Sequence, residues 1–292
     1  MIEFKDFTFT YPTGRPAPAL RSITLTVRPG TICGVVGADG SGKTTLAAVV
    51  SGVSPHLTGG EFSGSVEVCG RPVAGTPMAE LATSVGLVRQ DPFSQISGAR
   101  FSVREELAFG LENLAVERDV MRHRVEQVME DVGLSELADR SPYELSGGQQ
   151  QRLAIGSVLA MRPAMIVLDE PTSQLDAEGS RRVFDILDAL KERGVAVLVM
   201  EHRLELLARS ADQVVVLEDG AVVADGPTRE VLGDPRLPEW GVGPLQYTTA
   251  ARRAAEHGLW DESRPLPVTL ETAADGFHQV THRIPIPAGD QP

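Results

Sequence analysis

Apolar and polar residues alternate at the start of the chain, with Ile2, Phe4, Phe7 and Phe9 and then Ile23, Leu25 and Val27 divided by Pro12-Thr13-Gly14-Arg15-Pro16. This pattern predicts an antiparallel, hairpin-like pair of strands. A second pattern follows: short apolar runs at 31–36, 84–89, 164–168, 195–200 and 212–217 that stop at polar or charged residues, with 65–70 as a further strand. They read as buried strands of an α/β sheet. From about 93 to 163 the period becomes helical. Val125, Val128, Met129 and Val132 fall at i, i+3, i+4 and i+7, opposite Arg124, Glu126, Glu130 and Asp131, so a helical insert is predicted between strands. Glu218-Asp219-Gly220 between two apolar runs predicts a hairpin. After Val231-Leu232 prolines and charges accumulate and periodicity is poor, which predicts an appended tail or small docking segment, with Trp240 and Trp260 folded against something.

Composition changes this picture little. The chain has 292 residues, 42% of them hydrophobic and 23% charged, as expected of a globular protein. No apolar run is long enough to span a bilayer, and the opening residues Met1 to Asp6 lack the basic and apolar stretches of a secretory signal, so a cytoplasmic setting is expected. The formal net charge of −13 argues against broad binding to nucleic acid or anionic lipid. Cys33 and Cys69 lie in strand-like runs and read as small buried hydrophobes rather than a disulfide or metal pair.

The strongest chemistry lies at Gly37-Ala38-Asp39-Gly40-Ser41-Gly42-Lys43-Thr44, which has the form G-x-x-x-x-G-K-[ST] between a predicted strand and a predicted helix that begins near Thr45. A triphosphate needs many donors at short range. Glycines let the backbone approach, successive N–H groups converge on phosphate oxygens, and the helix aims its positive end at them. Lys43 supplies a cation for the β- and γ-phosphates and the Thr44 hydroxyl suits Mg²⁺.

Four other stretches carry candidate groups. The run at 164–168 delivers Asp169 and Glu170 to a strand tip, where open α/β sheets place chemistry; Asp169 suits Mg²⁺ held through water and Glu170 an attacking water. Gln90 precedes Asp91-Pro92 at another strand end, and Glu201-His202 closes a third, which directs His202 toward a γ-phosphate. Leu145-Ser146-Gly147-Gly148-Gln149 opens a helix that Ser146 can cap while two glycines leave bare N–H groups, a second anion site. Tyr11 before the first turn reads either as a packed turn aromatic or as a ring stacked on a base. His278 and His282 lie four apart, but weak helical periodicity there disfavours reading them as a metal pair.

In this order the stretches resemble the nucleotide-binding subunit of ATP-binding-cassette (ABC) transporters over residues 1–233. Residues 37–44 match its Walker A loop, Gln90 its Q-loop, 145–149 its signature, and 165–170 its Walker B strand. Ser173-Gln174-Leu175-Asp176 resembles the D-loop, with Gln174 in place of the usual alanine, and His202 the switch histidine, preceded by Glu201 where threonine is commoner. Gln90-Asp91-Pro92, Gln95, residues 103–113 and residues 146–155 are most similar to the energy-coupling-factor ATPases that drive vitamin and transition-metal uptake.

The resemblance implies an α/β, P-loop NTPase fold of the ABC ATPase type: a RecA-like core, an antiparallel β subdomain and a helical signature subdomain at about 93–163, with residues 234–292 as a C-terminal extension. It implies ATP and Mg²⁺ as ligands. Tyr11 would stack on adenine, while residues 37–44 with Thr45 bind phosphates. Thr44, Gln90 and Asp169 would serve the metal, with Glu170, His202 and Gln90 catalytic. Two subunits, identical or sister chains, would dimerise head to tail so that Ser146, Gly147, Gly148, Gln149 and Asp176 act across the interface. A transmembrane coupling subunit, received near residues 90–110, and a substrate-binding membrane subunit would hold the pair at the cytoplasmic face of the cell membrane. Competing readings are a soluble ABC-type ATPase of DNA repair or translation, disfavoured by the acidic balance and the lack of tandem cassettes or coiled-coil insertions, and a P-loop kinase, disfavoured by the signature.

Overall fold

The computed structural model describes residues 1–13, 17–261 and 263–281. The turn residues Gly14, Arg15 and Pro16, the tail from His282 onward, and hence the His278–His282 pairing lie outside the described residues. The strands are β1 (Ile2–Thr10), β2 (Leu20–Val27), β3 (Ile32–Val36), β4 (Glu61–Val68), β5 (Arg71–Pro72), β6 (Val85–Val88), β7 (Met165–Asp169), β8 (Ala196–Met200), β9 (Gln213–Glu218) and β10 (Ala221–Pro227). The helices are α1 (Lys43–Val50), α2 (Val53–His56), α3 (Met78–Ser84), α4 (Val103–Asn113), α5 (Arg118–Asp131), α6 (Gly147–Ala160), α7 (Ala177–Glu192), α8 (Leu204–Ser210), α9 (Thr228–Leu232), α10 (Gln246–Glu256) and α11 (Leu270–Thr281). Among the described residues no helix is long and apolar enough to cross a membrane.

Two sheets form. One is antiparallel in the order β2-β1-β4-β5; the other runs β10-β9-β3-β8-β7-β6 and is parallel from β9 to β6. The expected first hairpin is the β1–β2 pair, with a local device that simple alternation does not anticipate. Phe4 and Phe7 are three residues apart yet both buried, as are Leu20 and Ile23. A strand of period two would send one of each pair to solvent. Bulges absorb the extra residues: Asp6 and Ser22 take φ of 45° and 46°, and the register of β1 on β2 shifts between Phe4 and Phe7 and again between Phe7 and Phe9. Asp6 N–H donates to Thr24 Oγ1 at 3.2 Å and Ser22 N–H to Thr8 Oγ1 at 2.9 Å, so the displaced amides keep partners.

In the larger sheet, alternate residues feed two separate cores. Ile32 and Val36, Ile166 and Leu168, Val197 and Val199, and Val214 and Val216 face the core shared with the helices from α4 to α9. Cys33 and Val35, Met165 and Val167, Ala196, Leu198 and Met200, and Val215 and Leu217 face the core shared with α1 and the antiparallel sheet. Both faces are dry, which is why the sequence shows unbroken apolar runs rather than alternation. Cys33 is a free, fully buried thiol whose pKa burial drives upward. Cys69 departs from the strand expectation: β4 ends at Val68, and Cys69, free and half-buried at φ 52°, begins the turn into β5.

Between β6 and β7 the chain passes through α4, α5 and α6. α6 spans the junction, with the signature residues at its start and its later turns on the sheet. Gly86 in β6 permits this approach, because a Cβ there would stand 2.0 Å from Val158 Cγ1. Beyond residue 234 the structure departs from the poor periodicity of the sequence, since α10 and α11 are both helical, α11 carrying His278. The face of α10 toward the protein buries Thr248 and Ala251, a polar and a small residue that give little hydrophobic signal. Thr248 Oγ1 donates to the Pro267 carbonyl at 2.6 Å, and Trp260 packs edge-on to Phe277 at 5.1 Å.

Gly86→Ala is expected to cost a net of about 1–2 kcal/mol, the overpacking penalty of about 1–3 kcal/mol less a fraction regained from the unfolded chain. The measurement is chemical unfolding of both proteins; an unchanged midpoint would show that α6 yields freely at Val158.

Candidate active site

The loop between β3 and α1 is built for close backbone approach. Gly37 has φ 155°, and a Cβ there would lie 2.3 Å from the Leu217 carbonyl oxygen and 2.6 Å from Ser41 Oγ. Gly42, at φ 107°, is the N-cap of α1, so no side chain stands over the helix's first amides. Ala38, Asp39 and Gly40 are exposed at the tip. Lys43 is buried and folds back, its Nζ donating to the carbonyls of Gly37 at 2.8 Å and Ala38 at 3.0 Å. Burial lowers its pKa, while Glu170, Asp39 and Asp169 pull the other way. These two carbonyl bonds hold the ammonium inside the loop.

The remaining groups arrive on adjacent strands. β3, β8, β7 and β6 are consecutive neighbours, and their C-terminal ends carry the phosphate loop, Glu201-His202, Asp169-Glu170 and, two residues beyond β6, Gln90. Glu170 takes φ 50°, an uncommon conformation for a non-glycine residue, and its N–H donates to the Met200 carbonyl at 3.0 Å. Its carboxyl is held on both sides: Gln90 Nε2 donates to Oε2 at 2.8 Å, and His202 Nε2 lies 2.9 Å from Oε1. The exposed carboxyl of Asp39 lies 3.7 Å from the same His202 nitrogen. Gln90, Glu170 and His202 therefore meet as one cluster beside the loop.

Asp169 points into the protein side of this cluster. It is buried and its Oδ1 has no hydrogen-bond partner. Ser41 Oγ is likewise buried without a partner. Burial raises the Asp169 pKa above its ordinary value, and the neighbouring Thr44 hydroxyl and Lys43 charge offset this only in part. The unpartnered oxygens of Asp169 and Ser41, with the nearby Thr44 hydroxyl, are oxygen donors of the type a hard divalent cation takes, so the residues fit Mg²⁺. The open face of Gly40, where a Cβ would meet nothing within 4 Å, leaves the loop's tip accessible.

The other predicted groups form a second locus. Ser146 caps α6 in a reciprocal capping box: Ser146 Oγ accepts from the Gln149 N–H at 3.4 Å and Gln149 Oε1 accepts from the Ser146 N–H at 2.9 Å. A Cβ at Gly147 would meet nothing within 4 Å, so the first turn is bare. Ser146 to Gln149 share a cleft of about 470 Å³ with Gln174, Leu175 and Asp176. Asp176 spends Oδ1 on capping α7, accepting from the Gly179 N–H at 2.7 Å. No hydrogen bond or ion pair among the described residues joins 146–149 to 37–45. Tyr11 is half-buried, donates to Thr45 Oγ1 at 3.3 Å and stands edge-on to Phe9 at 4.9 Å, so its ring flanks the first turn of α1.

Two further polar residues, both in stretches that carry the resemblance but given no role there, support the site. Gln95 Oε1 accepts from the Arg89 N–H at 2.8 Å and its Nε2 donates to the Leu87 carbonyl at 2.9 Å, pinning the segment that presents Gln90. Buried Glu106 accepts from both the N–H and the hydroxyl of Ser97, at 2.7 and 2.8 Å. Glu106 lies in the stretch 103–113 that carries the resemblance, and the contact with Ser97 is what the structure adds.

Because the folded state favours neutral Asp169, ionising it costs stability, and the cost grows as pH rises from the ordinary value of 3.8 through the raised one. Asp169→Asn is therefore expected to melt higher than the parent at neutral pH without ligand, with the gain shrinking as pH falls toward the ordinary carboxyl range. Thermal unfolding of both proteins across that range is the check; a gain independent of pH would remove burial of the charge as its cause.

Comparison with known proteins bears on the same features. The ABC transporter family model matches residues 20–173. An ABC transporter ATP-binding protein of Streptomyces avermitilis is 43% identical over 266 residues, covering 87% of this chain and 47% of that protein. The chain spans about half the length of such curated relatives. Among solved structures, CbiO1 from Clostridium perfringens, part of the ABC transporter complex CbiONQ, is similar with a TM-score of 0.73 and 27% identity, over 87% of this chain and 94% of its own. The ATP-binding cassette MJ0796, solved as a dimer in a post-hydrolysis state with ADP and Pi, gives a TM-score of 0.69 and 26% identity, over 78% and 99%. With the phosphate loop, the carboxyl pair and the capped glycine helix on an α/β fold shared with these cassettes, the chain belongs to the ABC transporter ATP-binding family.

Proposed function

We propose that this chain is the ATP-hydrolysing subunit of an energy-coupling-factor-like importer of a vitamin or transition-metal ion. The observation that carries hydrolysis is the Glu170 carboxyl, gripped by Gln90 at 2.8 Å and His202 at 2.9 Å beside the phosphate loop. The importer reading rests on the segments after Gln90 and on the likeness to CbiO1. Residues 1–233 serve as the ATPase domain and 234–292 as an extension.

The roles follow from the positions. Tyr11 offers its ring to adenine. The amides of 37–45 bind phosphate oxygens, and Lys43 exchanges its two loop carbonyls for them. Thr44, Gln90 and Asp169 hold Mg²⁺, which supplies charge neutralisation for the transferred phosphoryl group. Glu170 orients a water and accepts its proton, and His202 contacts the γ-phosphate. The bare first turn of α6 lies apart from the phosphate loop, so it reaches a triphosphate by presenting Ser146 to Gln149, with Asp176, to the loop of a second subunit. ATP then joins two protomers, and loss of the γ-phosphate lets them part. The exposed rings of Phe93, Phe101 and Tyr143, near the Q-loop, offer apolar contact for a membrane-embedded coupling subunit at the cytoplasmic face.

Glu170→Gln is expected to bind ATP with parental affinity, to lower turnover by about 100-fold or more as loss of a general base does, and to accumulate as an ATP-dependent dimer in size-exclusion chromatography. Turnover within about tenfold of the parent would move the base elsewhere. A chain that binds ATP yet stays monomeric in both forms would require a sister ATPase.

A further inference from the structure

One buried polar residue at the site has no part in this scheme. Glu201 stands at the end of β8 immediately before His202 and is only 2% exposed. Its carboxyl is fully engaged: Oε2 accepts from Thr172 Oγ1 at 2.6 Å, and Oε1 accepts from the N–H groups of His202 at 2.8 Å and Arg203 at 3.0 Å. A buried carboxyl without such donors would be strongly destabilising.

The donors come from two places. His202 and Arg203 belong to the segment that brings an imidazole to Glu170, whereas Thr172 lies in the turn that leads from Glu170 into residues 173–176. Arg203 extends the link. Its Nη2 donates to the Leu175 carbonyl at 2.7 Å and its Nη1 to Ser180 Oγ, which in turn donates to the Asp176 carbonyl at 2.7 Å. One end of this network is the His202–Glu170 contact; the other is the Gln174-Leu175-Asp176 wall of the cleft shared with Ser146 to Gln149. A side chain serving only to fill the space under β8 would not need to bind both segments.

We infer that Glu201, together with Arg203, is a positioning residue that ties the histidine of one half-site to the loop forming the wall of the other. A shift of His202 on arrival or loss of phosphate is passed through Glu201 and Thr172 to the 173–176 loop, and a partner pressing on that loop sets the histidine. Threonine before the histidine could not span this distance with two oxygens. The inference rests on the roles proposed above for His202 and the 173–176 loop.

The test compares Glu201→Ala, Glu201→Gln and Thr172→Val in the full chain by amide hydrogen exchange without nucleotide and by steady-state ATP hydrolysis. Glutamine keeps the frame, since its carbonyl accepts both amides and its NH₂ group can donate to the Thr172 oxygen. In Glu201→Ala, amides of 175–180, which Glu201 does not touch, should exchange about tenfold faster or more. In Glu201→Gln they should stay within about threefold of the parent. Turnover should follow the same order, with kcat lowered about tenfold in Glu201→Ala while KM for ATP stays within about twofold. Faster exchange confined to His202 and Arg203, or Glu201→Gln as impaired as Glu201→Ala, would overturn the inference. If the alanine variant does not fold, Thr172→Val still decides, because it removes one donor and should speed exchange at 175–180; no change there would also overturn it. Absence of ATP turnover in the parent would sink the ATPase reading instead, while the exchange data would still decide the coupling.

Discussion

A parallel sheet that is dry on both faces leaves only its ends for chemistry, and this constraint governs the rest of the molecule. Each central strand sends alternate side chains into two different cores, so neither face has room for a polar group. Charged residues appear where the strands stop. At the C-terminal ends of β3, β8, β7 and β6 they converge because those strands are neighbours. The same walls lower the local dielectric there. A positive loop, two adjacent carboxyls and an imidazole thus act on one another more strongly than they would in water.

The cost of such a placement is visible in the ionisable groups. Burial pushes Lys43 down and Asp169 up, each toward its neutral form, and neighbouring groups answer only part of it. Lys43 is provisionally satisfied by its own loop, and Asp169 keeps one oxygen without a partner. In both, the strand-end position leaves part of the cost of burial unanswered by the protein. Glu170 shows a third form of the same cost, a non-glycine residue at φ 50°, held there by backbone and side-chain bonds on three sides.

Separation is as informative as convergence. The capped glycine turn of α6 and the 173–176 loop share a cleft of their own, and α6 is fixed to the sheet by the close approach at Gly86. Whatever binds in that cleft therefore acts on a helix that reaches the core. Glu201 and Arg203 provide the corresponding link on the other side of the loop. Loops of few residues are kept in register by buried polar bonds because they have too little apolar surface to be held by packing.

What the sequence by itself determined is local. Eight contiguous residues between an apolar run and a helix specify the phosphate loop, and an apolar run ending in Asp169-Glu170 specifies where the carboxyls emerge, because strand, turn and helix start are set by near neighbours. The β1–β2 pair was legible, but the bulges that let Phe4 and Phe7 both turn inward came only from the structure. The helices α10 and α11 were not legible, since the side chains α10 buries are small or polar. Only the tertiary structure decided that Gln90 and His202, 80 and 32 residues from Glu170, grip the same carboxyl, and that Glu201 is buried beneath them. Those meetings depend on strand order, and strand order follows from how two whole cores pack, which no stretch of the chain encodes alone.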